Sequence, residues 1–151
     1  LGTEMQASLL PADAVALFAV PVYGGHVPSL ALKRMEGLRG SGTPAVLLVV
    51  YGNRAFEHAA AELAAFVSER GFVPVAAGAF VGEHSYSTPE TPIAQGRPDA
   101  RDLIAATAFG AQVREKLAKT GSSPGRNPET ASDTAATTRT TQTDSMDAAK
   151  A

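Results

Sequence analysis

Ala45–Tyr51 reads AVLLVVY and runs directly into Gly52-Asn53. An apolar run with no polar alternation does not suit a strand with one wet face. It suits a parallel strand covered on both sides. Two similar runs flank it. Ala14–Val22 (AVALFAVPV) ends in Tyr23-Gly24-Gly25, and Phe72–Val81 (FVPVAAGAFV) ends in Gly82. Pro74 lies early in the last run, where proline can occupy a strand start.

Helical spacing fills the gaps. Pro28–Leu38 begins with proline, as first turns often do, and carries Leu30, Leu32, Met35 and Leu38 before Gly40 and Gly42 break it. Ala55–Arg70 places Phe56, Ala59, Ala60, Leu63, Phe66 and Val67 on one face, and Gly71 stops it. A last helix is capped by Asp99, with Asp102 favourable in its first turn. Its inner face holds Leu103, Ala106, Phe109, Gly110, Val113 and Leu117. Strand and helix alternate three times, which predicts right-handed crossovers and an α/β fold with a parallel sheet.

Composition shifts near Thr120. Residues 120–151 contain no Leu, Ile, Val or aromatic residue, and so cannot bury enough apolar surface to offset their chain entropy. The expected organisation is a domain over residues 1–119 and a disordered Thr/Ser/Ala-rich tail over 120–151. The chain has no cysteine, which excludes disulfides, thiolate metal sites, iron–sulfur ligation and cysteine nucleophiles. Net charge is −2, too small for a polyanion-binding field, so nucleic acid is not an expected partner. The apolar runs are too short for a bilayer, and no basic segment leads into one at the N-terminus, so the expectation is a cytoplasmic protein with no membrane partner. The three histidines are scattered with no carboxylate at ligand spacing, so no metal is expected, and His26 and His58 read as ordinary surface residues. Ser85 and Ser87 lack a nucleophile-elbow context, and no catalytic residue is assigned.

The chemistry is expected at the strand ends. Three loops follow the C-terminal ends of the three runs, the edge where open α/β sheets bind ligands. They are Pro21-Val22-Tyr23-Gly24-Gly25-His26-Val27-Pro28, Tyr51-Gly52-Asn53-Arg54 and Gly82-Glu83-His84-Ser85-Tyr86-Ser87. Glycine lets backbone approach a planar ligand, and tyrosine offers a flat face and a hydroxyl. Each feature also has a plain structural reading. Tyr23 packs over a loop, Gly24, Gly25 and Gly52 make turns, Asn53 caps the following helix, Arg54 pairs with Glu57 or Glu83, and His84 and Tyr86 are loop polar groups.

PVYGGHVP, then AVLLVVYGNRAFEHA, then VGEHSYS together resemble the flavodoxin-like domain of bacterial and archaeal proteins often fused to a two-cluster ferredoxin module. The resemblance covers about residues 10–119. It implies a three-layer α/β/α sandwich, bound flavin mononucleotide (FMN), and electron transfer with a ferredoxin or other redox protein. Carried over, Pro21, Val22, Tyr23, Gly24 and Gly25, and Tyr51, Gly52, Asn53 and Arg54, border the isoalloxazine ring, with His84 on the same edge. Arg54 near the N1/O2 edge favours the anionic reduced ring. Two other readings use the same fold: an NAD(P)H-dependent flavin or quinone reductase, and a flavin-free remnant acting as an interaction domain.

The sequence departs from this family in two places. No Ser/Thr/Gly-rich phosphate loop precedes Ala14, and the chain begins at Leu1 rather than Met. The expectation is an N-terminally incomplete domain that lacks its first strands, in which Ala14–Val22 is the family's third strand. That strand then has an exposed edge, which favours pairing with a second copy. The tail stands where a cysteine-rich ferredoxin module is usual.

Overall fold

A computed structural model describes residues 8–121; most of the expected tail, residues 122–151, lies outside the described residues. The elements in chain order are β1 (Ser8–Leu10), β2 (Ala16–Pro21), α1 (Ser29–Met35), β3 (Leu38–Gly40), β4 (Thr43–Tyr51), α2 (Ala59–Ser68), β5 (Phe72–Val81) and α3 (Ala100–Gly121). The main sheet is parallel, in the order β2-β4-β5. The three apolar runs are its strands, and β5 has the bounds the sequence predicts. The chain therefore has the parallel α/β architecture of a flavodoxin-like fold.

One face of the sheet carries the core. Ala16, Phe18 and Val20 of β2 and Ala45, Leu47 and Val49 of β4 pack with Ala59, Leu63 and Val67 of α2. Leu32 and Met35 of α1 lean on the same cluster. The Phe18 and Phe72 rings meet edge-on with centroids 5.0 Å apart, a favourable aromatic geometry. The opposite face meets α3 through Phe80 and Phe109, whose rings are 5.7 Å apart.

This second face departs from expectation. The apolar runs predict cover on both sides, yet β2 alternates strictly between buried and exposed residues. Leu17 is 64 % exposed and Val15 51 %, so only β4 is enclosed on both faces over most of its length. The reason is α3, which reaches the sheet with Ala106, Phe109, Gly110 and Val113 but has no buried residue. Among the described residues no strand pairs with the outer edge of β2, as the sequence predicts.

Several boundaries move. Pro28–Leu38 is not one helix. α1 stops at Met35, and Leu38–Gly40 becomes β3, parallel to β1 in a second two-stranded sheet. Ala55–Arg70 shortens to Ala59–Ser68 because Asn53 (φ 58°) and Glu57 (φ 35°) lie outside the right-handed helical region. Phe56 leaves the expected helix face and meets the Tyr51 ring instead, centroids 5.3 Å apart. α3 continues two residues past the expected domain end at 119. Pro74 does sit where β5 can tolerate it. β5 is an edge strand, and its register with β4 slips by one residue just after Pro74.

Thr43 ties the two sheets together. It is fully buried, and its hydroxyl lies 2.7 Å from the Leu10 carbonyl and 2.9 Å from that of Pro11. Thr43→Val keeps the shape but removes the hydroxyl donor, leaving the Leu10 and Pro11 carbonyls to their remaining partners, Ser41 and the Ala14 N–H. Denaturant titration is expected to show a loss of about 0.5–1.5 kcal/mol of stability, the net worth of a hydrogen bond.

Candidate functional site

The parallel register brings the three loops to one rim. Pro21 lies opposite Val50 and Tyr51 opposite Val81, so β2, β4 and β5 end level with one another. Val22 N–H donates to the Val50 carbonyl at 2.9 Å, and Gly82 N–H to that of Tyr51 at 2.9 Å. The loops also touch. A Cβ built on Gly52 would collide with the His84 ring, so the third loop rests directly on the second.

The first loop is a tight hairpin. Tyr23 and His26 exchange backbone hydrogen bonds of 3.0 and 3.1 Å, while Gly24 and Gly25 sit at φ 59° and 84°. Two consecutive positive φ values define the turn type that favours Gly-Gly, which accounts for the pair. Tyr23 is thereby held at the turn's start with its side chain 68 % exposed and no ring partner among the described residues. Gly24 faces open space, and Gly25 is buried against Glu57.

The second and third loops use their residues differently from expectation. Asn53 does not cap α2, because the helix begins six residues later with His58 at its N-cap; Asn53 instead takes a left-handed turn position, which asparagine tolerates. Arg54 is exposed and pairs with neither Glu57 nor Glu83 among the described residues, which removes its expected ion pair. Glu83 instead accepts from the Gly96 N–H at 3.1 Å. His84 Nδ1 accepts from the Tyr86 N–H at 3.0 Å, so its Nε2 carries the ring proton when neutral. Tyr86 is 78 % exposed.

The rim helices end in carboxylates. Asp99 Oδ1 accepts the N–H groups of Arg101 and Asp102 at 2.8 and 3.1 Å, and Asp102 accepts from Asp99 N–H at 2.7 Å, a reciprocal cap for α3. Arg97 grips both oxygens of Asp102 in a two-bond fork. The guanidinium and the Asp99 N–H hold the Asp102 carboxyl at a pKa of about 2 against an ordinary 3.8. A lowered folded-state pKa means the cap's contribution is present above the ordinary value and is lost as pH falls toward about 2. Acidification through that range is therefore expected to reduce amide protection in the first turn of α3, and Asp102→Asn is expected to abolish that dependence.

The rim fits a flavin in part. Exposed Tyr23, the open Gly24 backbone and Arg54 suit a planar ring with an electron-rich edge. The starts of α2 and α3 do not suit its phosphate. Glu57 and Glu62 stand at the start of α2, and Asp99 and Asp102 occupy that of α3, so a phosphate dianion meets like charge at both. Two hollows run along α3 rather than at the rim. The first, about 510 Å³, is lined by Val15, Leu17, Leu48, Val50, Phe80 and Phe109 among others. No residue of the three loops lines it.

No protein-family model, curated protein or solved structure matches this chain. Among the described residues no helix is long and apolar enough to cross a membrane, and no group of three His, Asp or Glu residues is placed to hold a metal ion.

One feature of the rim escaped sequence reasoning. His26 Nδ1–H donates to Glu62 Oε1 at 2.5 Å, and Val27 N–H donates to Glu62 Oε2 at 3.0 Å. The partners lie 36 positions apart. No local pattern links a loop histidine to a helix-face glutamate. Only the parallel crossover brings them together.

Proposed function

We propose that the rim formed by Tyr23–Gly25, Tyr51–Arg54 and His84 contacts the isoalloxazine ring of a flavin, FMN by the resemblance, in a domain that exchanges electrons with a ferredoxin-type protein. The convergence of three glycine-bearing loops on one sheet edge carries this reading. Flavin, when bound, supplies one- and two-electron chemistry. The protein's part is to bind and orient. Tyr23 offers an exposed face for stacking, Gly24 lets the backbone come close, and Arg54 places an unpaired positive charge beside the ring edge.

Fluorescence-quenching titrations with FMN and riboflavin test this. Because carboxylates occupy the starts of α2 and α3, the phosphate is expected to add little, and the two flavins to bind with affinities within about twofold of one another. Tyr23→Ala is expected to weaken both by roughly five-fold or more, the worth of one aromatic stacking contact. Absence of saturable quenching by either flavin would reject the proposal.

A second reading, a flavin-free interaction domain, is favoured by the carboxylates at the starts of α2 and α3 and by the edge of β2, which no strand covers among the described residues. Ala16–Pro21 carries no charged residue and no bulge, two of the devices that protect an edge strand, and its proline stands only at the last position. The corresponding proposal is a homodimer joined through that edge. Size-exclusion chromatography with light scattering is expected to give twice the mass of 15.5 kDa. A concentration-independent monomer would contradict it.

A further inference from the structure

The Tyr23–His26 turn is joined to the start of α2 at three points. Gly25 carbonyl accepts the His58 N–H at 3.1 Å, Val27 N–H donates to Glu62 Oε2 at 3.0 Å, and His26 Nδ1–H donates to Glu62 Oε1 at 2.5 Å. Glu62 is thus shared by the ring of His26 and the backbone of the next residue. The Glu57 side chain lies against Gly25 from below, and the His58 ring stands 5.8 Å from that of His26. Among the described residues, the titratable groups facing His26 are therefore Glu57, His58 and Glu62, all from α2 and its lead-in.

We propose that the His26–Glu62 pair is a proton-set latch, holding the Tyr23–His26 turn on α2 and so fixing where Tyr23 is presented on the rim. The latch needs no bound flavin and stands apart from the flavin reading. His26 and Glu62 are positioning residues, acting through the backbone of the turn.

The direction of its pH response follows from the partners. The Glu62 hydrogen bond and charge raise the His26 pKa above its ordinary 6.5, with Glu57 adding in the same sense. A raised folded-state value means the ion pair is fully present below 6.5 and is lost as pH rises through the folded value. Glu62 is shifted the other way, lowered from 4.5 first by the His26 hydrogen bond and then by the Val27 N–H. Its contribution is present above 4.5 and is lost as pH falls through the folded value. The latch is therefore tightest between the two, in mildly acidic to neutral solution. Above the His26 midpoint the neutral ring still donates from Nδ1, so the turn loosens rather than detaches. Both side chains are partly exposed, at 56 % and 36 %, so the response is a few-fold change in population and not a refolding.

Proton and amide NMR on the ligand-free full chain tests the latch. His26 is expected to titrate with a midpoint above 6.5, and the amides of Tyr23, Gly25 and Val27 are expected to shift with that same midpoint. Glu62→Gln is expected to return the midpoint toward the ordinary value and to lower Val27 amide protection roughly two- to five-fold. His26→Asn, which leaves Glu62 and the Val27 bond in place, is expected to make the turn's amides insensitive to pH across the range in which His26 titrates in the unaltered chain. His58→Asn is expected to leave the coupled titration intact. A His26 midpoint at the ordinary value would overturn the proposal. So would turn amides that ignore the His26 titration, or that follow His58 instead.

Discussion

Leu63→Ala is expected to lower the free energy of unfolding by about 2–5 kcal/mol. Leu63 has no exposed surface and lies at the middle of the α2 face, between Ala59 and Val67, which are equally enclosed. These three residues meet Phe18, Leu47 and Val49 of the sheet. Truncation removes apolar contacts and leaves a cavity in the core beneath α2. A domain of this size is stable by only about 5–15 kcal/mol, so the variant forfeits a large fraction of the total. Urea titration followed by circular dichroism measures it. A change below about 1 kcal/mol would mean that α2 does not pack on the sheet as described.

Gly71→Ala is expected to cost at least about 2 kcal/mol, more than any other glycine substitution among the described residues. Gly71, three residues past the end of α2, sits at φ 81°, and a Cβ there would collide with the Gly40 carbonyl oxygen. That neighbour is backbone held on both sides. Gly40 N–H donates to the Arg70 carbonyl at 2.8 Å, and Gly42 N–H to that of Gly71 at 2.9 Å. The methyl group therefore forces the end of α2 away from β3, breaking the crossing that leads the chain into β5. Gly42→Ala is the control. Gly42 also has positive φ, at 78°, but nothing lies within 4 Å of its added Cβ. It is expected to show only the conformational cost, about 1 kcal/mol. Equal losses in the two variants would remove the argument from close approach.

The sheet was legible because burial writes itself into composition. AVLLVVY is the central strand, enclosed on both faces over most of its length, and its apolar run says so directly. β2 shows the limit of that reasoning. Its run is equally apolar, but Val15 and Leu17 face outward because α3 covers only part of that side. A sequence records what a residue could bury and not what arrives to bury it. The short pair β1–β3 was missed for a related reason, since three-residue strands carry too few positions to show a period.

The rim was legible in its placement and less so in its details. Parallel topology alone sends Tyr23, Tyr51 and His84 to the same edge, and glycine pairs mark turns reliably. Local propensity failed at Asn53, where a good capping residue was taken by a left-handed turn and α2 began later. Charge pairing failed at Arg54 for want of geometry. Glu57 is turned toward Gly25, and Glu83 toward Gly96. The Asp99–Asp102 cap held because its partners are three residues apart and the helix itself brings them together. His26–Glu62 needed the whole fold.

The reading of the rim as a flavin-ring site is tested most directly by amide NMR during addition of FMN to the full chain. Shifts are expected at Tyr23, Gly24, Gly25, Gly52, Asn53, Arg54 and His84, with Ala106, Gly110 and Val113 of α3 left in place. Shifts centred on those α3 residues, or none at saturating flavin, would contradict it.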